Sequence, residues 1–206
     1  MAREKRKQRK NSQNRNGQLS PETYIRKKAR NLPIKQCYIG SGWDETGMTN
    51  VFVARAHKNE NVTVGVYLVD LYCLGIKDAF YYFNIPEYKL QEMISQSNMV
   101  KCDYDLVHNI VYGAKQYEEK LGFEPHKNWG IAQYILEPEN ENSLERDIEF
   151  GLDGEPHFMA GPNDDDHFIN RVIRTLEKNV GTGNFHFTIP QSQFSSGFGE
   201  SYEDDF

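Results

Sequence analysis

The sequence predicts an α+β fold: a single domain with a mixed or antiparallel sheet and two main helices, flanked by disordered tails. Three observations predict it. Residues 51–55 and 62–71 are two runs rich in β-branched and aromatic side chains, joined by the polar loop 57–61, which is the pattern of a hairpin. Leu106, Val107, Ile110, Val111, Ala114, Tyr117 and Leu121 fall on one stripe at helical spacing, as do Phe168, Ile169, Val172, Ile173 and Leu176. Charge is uneven: the 206 residues carry a net −6, yet residues 1–30 hold eleven basic against two acidic side chains, a local +9.

Residues 1–31 form a basic arm. Almost nothing apolar precedes Leu19, so residues 1–18 cannot bury enough surface to offset chain entropy and are expected to be disordered alone. Ser20, Pro21 and Glu22 are a helix start, with Ser20 as cap, and predict a short helix over 21–30. Pro33 ends it, and the globular domain is expected over 32–189. A short strand is expected around 37–39, then a turn at 40–42. The run at 64–72 is so continuously apolar that it reads as a central strand covered on both faces. Residues 77–83 read as a helical turn or a loop, and 86–95 as a helix. The long helix has Asp103 or Asp105 to cap it and Gly122 to stop it. Residues 128–136 are ambiguous, and 137–145 are a polar loop. Residues 147–150 and 156–160 flank Asp153-Gly154 as a second hairpin. The second stripe helix stops at Gly181, and 184–189 is the last strand. Residues 190–206 are a low-complexity acidic tail, also expected to be disordered.

Several classes lose support at once. No stretch approaches the ~18–20 apolar residues of a membrane span, and no apolar core follows the basic N-terminus as in a secretory signal. Three widely spaced cysteines, Cys37, Cys73 and Cys102, make no disulfide framework and suit a reducing cytoplasm. No P-loop, dinucleotide or zincin motif is present, and no cofactor is expected.

Four groups carry candidate chemistry. The first is the arm: Arg3, Lys5, Arg6, Lys7, Arg9, Lys10, Arg15, Arg26, Lys27, Lys28 and Arg30. Such a run gains free energy beside a polyphosphate by releasing counterions, so RNA, ribosome or DNA is its expected partner. The second is the acidic end of the chain. Asp204, Asp205 and Phe206 can put an aromatic anchor in a pocket and carboxylates on its basic rim, a protein-recruiting device, although a solvating tail is the favoured use of so short an acidic run. The third is Asp164, Asp165, Asp166 and His167, whose oxygen and nitrogen ligands suit a divalent metal. They stand at a helix start, where capping is the favoured use. The fourth follows the central strand: Asp70, Cys73, Lys77 and Asp78, with His108 or His126 as a basic partner for a cysteine nucleophile, or with Lys77-Asp78 as no more than a solvated pair. The plain alternative is an aspartate satisfying loop N–H groups and a small buried thiol. Trp43, Trp129, Tyr81 and Tyr82 can stack on bases, although packing is the favoured use of each.

The run VFVARAHKNENVTVGVYLVDLYCLGIKDAFY, with YGAKQYEEKLGF and FGLDGEPHFMAGPNDD, resembles an uncharacterised family of bacterial cytoplasmic proteins over 32–189. That resemblance implies a bacterial cytoplasmic protein and carries no catalytic assignment. The end of the chain resembles the acidic, Phe-ended tip of single-stranded-DNA-binding proteins. The leading expectation is a non-enzymatic binding module with a nucleic-acid-contacting arm. Behind it stand a metal-dependent hydrolase or nuclease using Asp70, Asp78 and Asp165, and a scaffold subunit of a multiprotein complex.

Overall fold

The computed structural model describes residues 19–139 and 146–190. Within them the chain runs α1 (Pro21–Lys28), β1 (Ile34–Gly40), α2 (Trp43–Thr46), β2 (Met48–Ala56), β3 (Val62–Asp70) and β4 (Gly75–Ile85). It continues α3 (Glu87–Ser95), β5 (Met99–Cys102), α4 (Tyr104–Leu121), α5 (Trp129–Ala132), β6 (His157–Met159), α6 (Asp166–Asn179) and β7 (His186–Thr188). The α+β class holds, with six helices among the described residues where the apolar stripes alone pointed to two main ones.

The main sheet has the order β4-β3-β2-β1-β5, and every neighbouring pair is antiparallel. Strand β3 lies inside it and is buried along nearly its whole length, as its unbroken apolar run requires. One face packs Tyr67 and Val69 against Val107, Ile110 and Val111 of α4 and Trp129 of α5. The other packs Val62, Val64 and Val66 against Leu90, Met93 and Ile94 of α3.

The segment 77–83 is strand, not a helical turn or loop. Phe80, Tyr81, Tyr82 and Phe83 are strand formers that alternate across the sheet, and β4 pairs with β3 from Gly75 to Ile85. The polar pair Lys77-Asp78, which suggested a loop, sits at a register shift between Leu68 and Val69. The second hairpin also differs from expectation. Its turn exists, with Asp153 and Gly154 both at positive φ and a single bridge from Leu152 to Glu155. Its arms go elsewhere: Gly151 N–H donates to Leu71 O and His157 N–H to Tyr72 O. β6 then pairs in parallel with β7.

Helix α1 begins as its sequence requires, with Ser20 accepting from Thr23 N–H and Pro21 in the first turn. Its Ile25, and Ala29 just beyond it, are fully buried in the core. The folded body therefore starts ahead of residue 32. Arg55 of β2 explains how this segment is held. The guanidinium is buried, donates to Ile135 O at 2.5 Å and to Leu32 O at 2.6 Å, and meets Glu137 Oε1 at 2.7 Å. No described helix is long and apolar enough to cross a membrane.

Candidate functional site

Helix α6 is strongly two-sided. Asp165 caps it, accepting from Phe168 N–H at 2.7 Å, and Ile169, Val172 and Leu176 are buried against Cys73, Leu121 and Phe158. The opposite face carries Arg171, Arg174 and Lys178, spaced three and four residues apart, so one side of the helix presents all three. Helix α4 ends beside it at Gly122, whose φ of 86° favours glycine and whose lack of a side chain admits Asn179. The Asn179 side-chain amide donates to Leu121 O at 3.2 Å. The chain then turns back, and His126 N–H donates to Ile76 O, which lays residues 123–127 along β4.

This packing leaves two adjoining hollows that share Gly122, Arg171 and Thr175. The larger, of about 660 Å³, has a wall of Leu74, Ile76, Phe123, Phe168 and Val172 and a rim of Lys77, Glu124, His126, Lys127 and Arg171. The smaller, of about 630 Å³, is lined by His167, Asn170, Arg174, Lys178 and Asn179. The Arg171 guanidinium lies over the Phe168 ring at 5.2 Å, and Phe168 meets Phe158 edge-on. Among the described residues none of Lys77, Lys127, Arg171, Arg174 and Lys178 sits in a salt bridge. Lys77 feels the buried Asp70 and Glu124 shares the rim, yet five cations against one lining carboxylate leave a local excess of positive charge that the net charge conceals.

Two residues singled out from sequence meet at this rim. His126 Nδ1 lies 3.1 Å from Asp78 Oδ1, without the alignment of a hydrogen bond, so their attraction depends on a protonated ring. Asp78 Oδ1 accepts from Ala79 N–H at 2.7 Å. Asp70 and Cys73 have local work instead. Asp70 is buried, its Oδ1 accepts from Tyr72 and Cys73 N–H, and desolvation raises its carboxyl. Cys73 is fully buried, and burial pushes its thiol far above the range of a nucleophile. His108 lies away from both. It is buried between Tyr104 and Tyr112 with Nε2 3.2 Å from Pro138 O, and desolvation lowers its proton affinity.

The aspartates at the α6 start follow the capping alternative: Asp165 caps the helix and Asp164 accepts from Gly161 N–H. Among the described residues no three His, Cys, Asp or Glu side chains gather as a group able to hold a metal, so Asp70, Asp78 and Asp165 do not converge. Trp129 is a core residue, in edge contact with Tyr67 and Tyr112. Within the arm, Arg26 and Arg30 both lie over Tyr134, and Arg30 donates to Leu136 O at 2.8 Å. Arg30 is thus an anchor of α1, while Lys27 and Lys28 are exposed. Arg3 to Arg15 and Asp204 to Phe206 lie outside the described residues.

The basic face of α6 was missed, although its spacing was present in the sequence. The apolar stripe marks only the buried face of the helix, and the exposed cations occupy the other. Glu118, also missed, lies on α4 fully buried, one oxygen accepting from Ile76 N–H at 2.9 Å and the other without a partner. Desolvation pushes its carboxyl up to about 8. Comparison with protein-family models, curated proteins and solved structures returns no match.

Proposed function

We propose that this protein is a non-enzymatic module that binds the phosphate backbone of a nucleic acid, through its basic arm and the basic face of α6 together. One observation carries the reading: Lys77, Lys127, Arg171, Arg174 and Lys178, none in a salt bridge among the described residues, line two adjoining hollows against the single lining carboxylate Glu124, on a chain of net charge −6. A polyanion steered past an acidic body needs such a local patch. The arm adds sequence-independent affinity by counterion release.

The test is a salt titration of the full chain with a fluorescent single-stranded 12-mer. Reversing Arg171, Arg174 and Lys178 to glutamate should weaken binding and flatten the plot of log K against log salt by about 2, since each phosphate contact on a single strand contributes roughly 0.7. An unchanged slope and affinity would remove α6 from the interface.

A second reading, a subunit of a multiprotein complex, draws on another surface. Phe80 and Tyr82 of the edge strand β4 are exposed, with ring centroids 5.7 Å apart. Exposed aromatics on a sheet edge suit a protein partner. Charged substitution of both should release co-purifying protein if that reading is right and leave nucleic-acid binding intact.

A further inference from the structure

The larger hollow is only half basic. Its apolar lining is chiefly the half-buried rings of Phe123 and Phe168, with Leu74, Ile76 and Val172 buried behind them, and Lys77, Lys127 and Arg171 line it alongside Glu124. A bare polyphosphate would engage the cations and leave the Phe123 and Phe168 rings wet. A duplex keeps its bases stacked and paired, so it too offers the wall nothing. An unpaired nucleotide matches both halves: an aromatic base for the wall and a phosphate for Lys77, Lys127 and Arg171. The volume, about 660 Å³, lies within the range of small-molecule sites.

We propose that this hollow seats one unpaired base of a single-stranded nucleic acid, with the adjoining phosphate held at its rim; this rests on the phosphate-binding reading above. Arg171 is the pivot. Its guanidinium lies over Phe168 at 5.2 Å, and bases stack on such planes while the N–H groups at the edge reach phosphate. Phe168 is itself braced by Phe158. The loop that carries Phe123 and Lys127 is fixed to β4 by the His126 N–H to Ile76 O bond. The smaller hollow, across Arg171, continues the cationic track through Arg174 and Lys178 and gives the strand a direction along α6.

The full chain is titrated with a thymidine 12-mer and with an abasic 12-mer carrying the same number of phosphates. The thymidine strand should bind about tenfold more tightly, the scale of one base stacked on an aromatic group. Phe123→Ala and Arg171→Lys should each collapse that ratio to within about twofold, and Arg171→Lys retains the charge and disturbs no core. Equal binding of the two strands by the native chain overturns the base seat while leaving phosphate binding intact. A preserved ratio in Arg171→Lys also overturns it, as does a mononucleotide that competes as well as the 12-mer. Failure of both strands to bind at 50 mM salt removes the underlying phosphate reading instead.

Discussion

Arg55 Nη2 lies 2.7 Å from Glu137 Oε1, with the guanidinium buried and the carboxylate half-buried. The same guanidinium donates to carbonyls of Leu32 and Ile135. One side chain thus ties β2 to the segment after α1 and to the segment before residue 138. Removing the counter-charge leaves a cation in a site of low polarity. Glu137→Ala should therefore cost on the order of 3 kcal/mol in a denaturant melt, and Glu137→Gln less, because an amide still accepts. Equal melts for both variants and the native chain would show that the carbonyls alone suffice.

Glu118 sets a pH dependence. Its proton affinity is higher folded than unfolded, so the folded state holds the proton where the unfolded chain has lost it. The stability it supplies is full at acidic pH and is lost as pH rises from the ordinary glutamate range through about 8. Asp70, also raised by burial, acts in the same direction. Glu118→Gln imitates the neutral acid. Its melting temperature should match the native chain at pH 5 and exceed it by roughly 5 °C or more at pH 9. A constant difference across that range would mean that Glu118 does not titrate there.

The thiols should be inert. Burial pushes Cys37 up to about 12 and Cys102 up to about 11, and raises Cys73 further still. Cys37 and Cys73 are buried and Cys102 half-buried. At pH 8 a colorimetric thiol reagent should react with at most Cys102 in the native protein and with all three cysteines after denaturation. Rapid reaction at Cys73 would reopen the nucleophile reading.

The arm should be separable from the fold at residue 18 but not at residue 30. Deleting 1–18 should keep a cooperative melt. Deleting 1–30 removes Ile25 and Ala29 from the core and leaves the Arg55 donors short of a partner, and should abolish the melt or lower it steeply. If both deletions melt alike, the packing of α1 contributes nothing to stability.

The sheet and the long helices were legible because their side chains carry one period over many residues. The run at β3, the stripe of α4 and the stripe of α6 each had that support. Strand β4 was not, since Lys77-Asp78 interrupts its pattern at a bulge and only pairing with β3 settles its state. The parallel β6–β7 pair was hidden for a different reason. Asp153-Gly154 gave a true local turn, but the partner of each arm was decided by distant carbonyls at Leu71 and Tyr72. At the candidate site, Asp78 and His126 were named separately, and no spacing tells that β4 and the loop after Gly122 bring them within 3.1 Å. The cations of α6 were readable and simply stood on the face that core patterning ignores.

The order β4-β3-β2-β1-β5 also sets a sequence in time. Strands β1 to β4 pair with their immediate neighbours along the chain, so each closes a short loop. Strand β5 must return across the sheet to meet β1, where Cys102 stands opposite Cys37, and so closes the longest loop at the largest entropic cost. It is four residues long, is an outer strand and has no fully buried side chain. The β1–β5 seam is therefore the last to zip and the first to part, and its amides should exchange with solvent faster than those of β2 and β3.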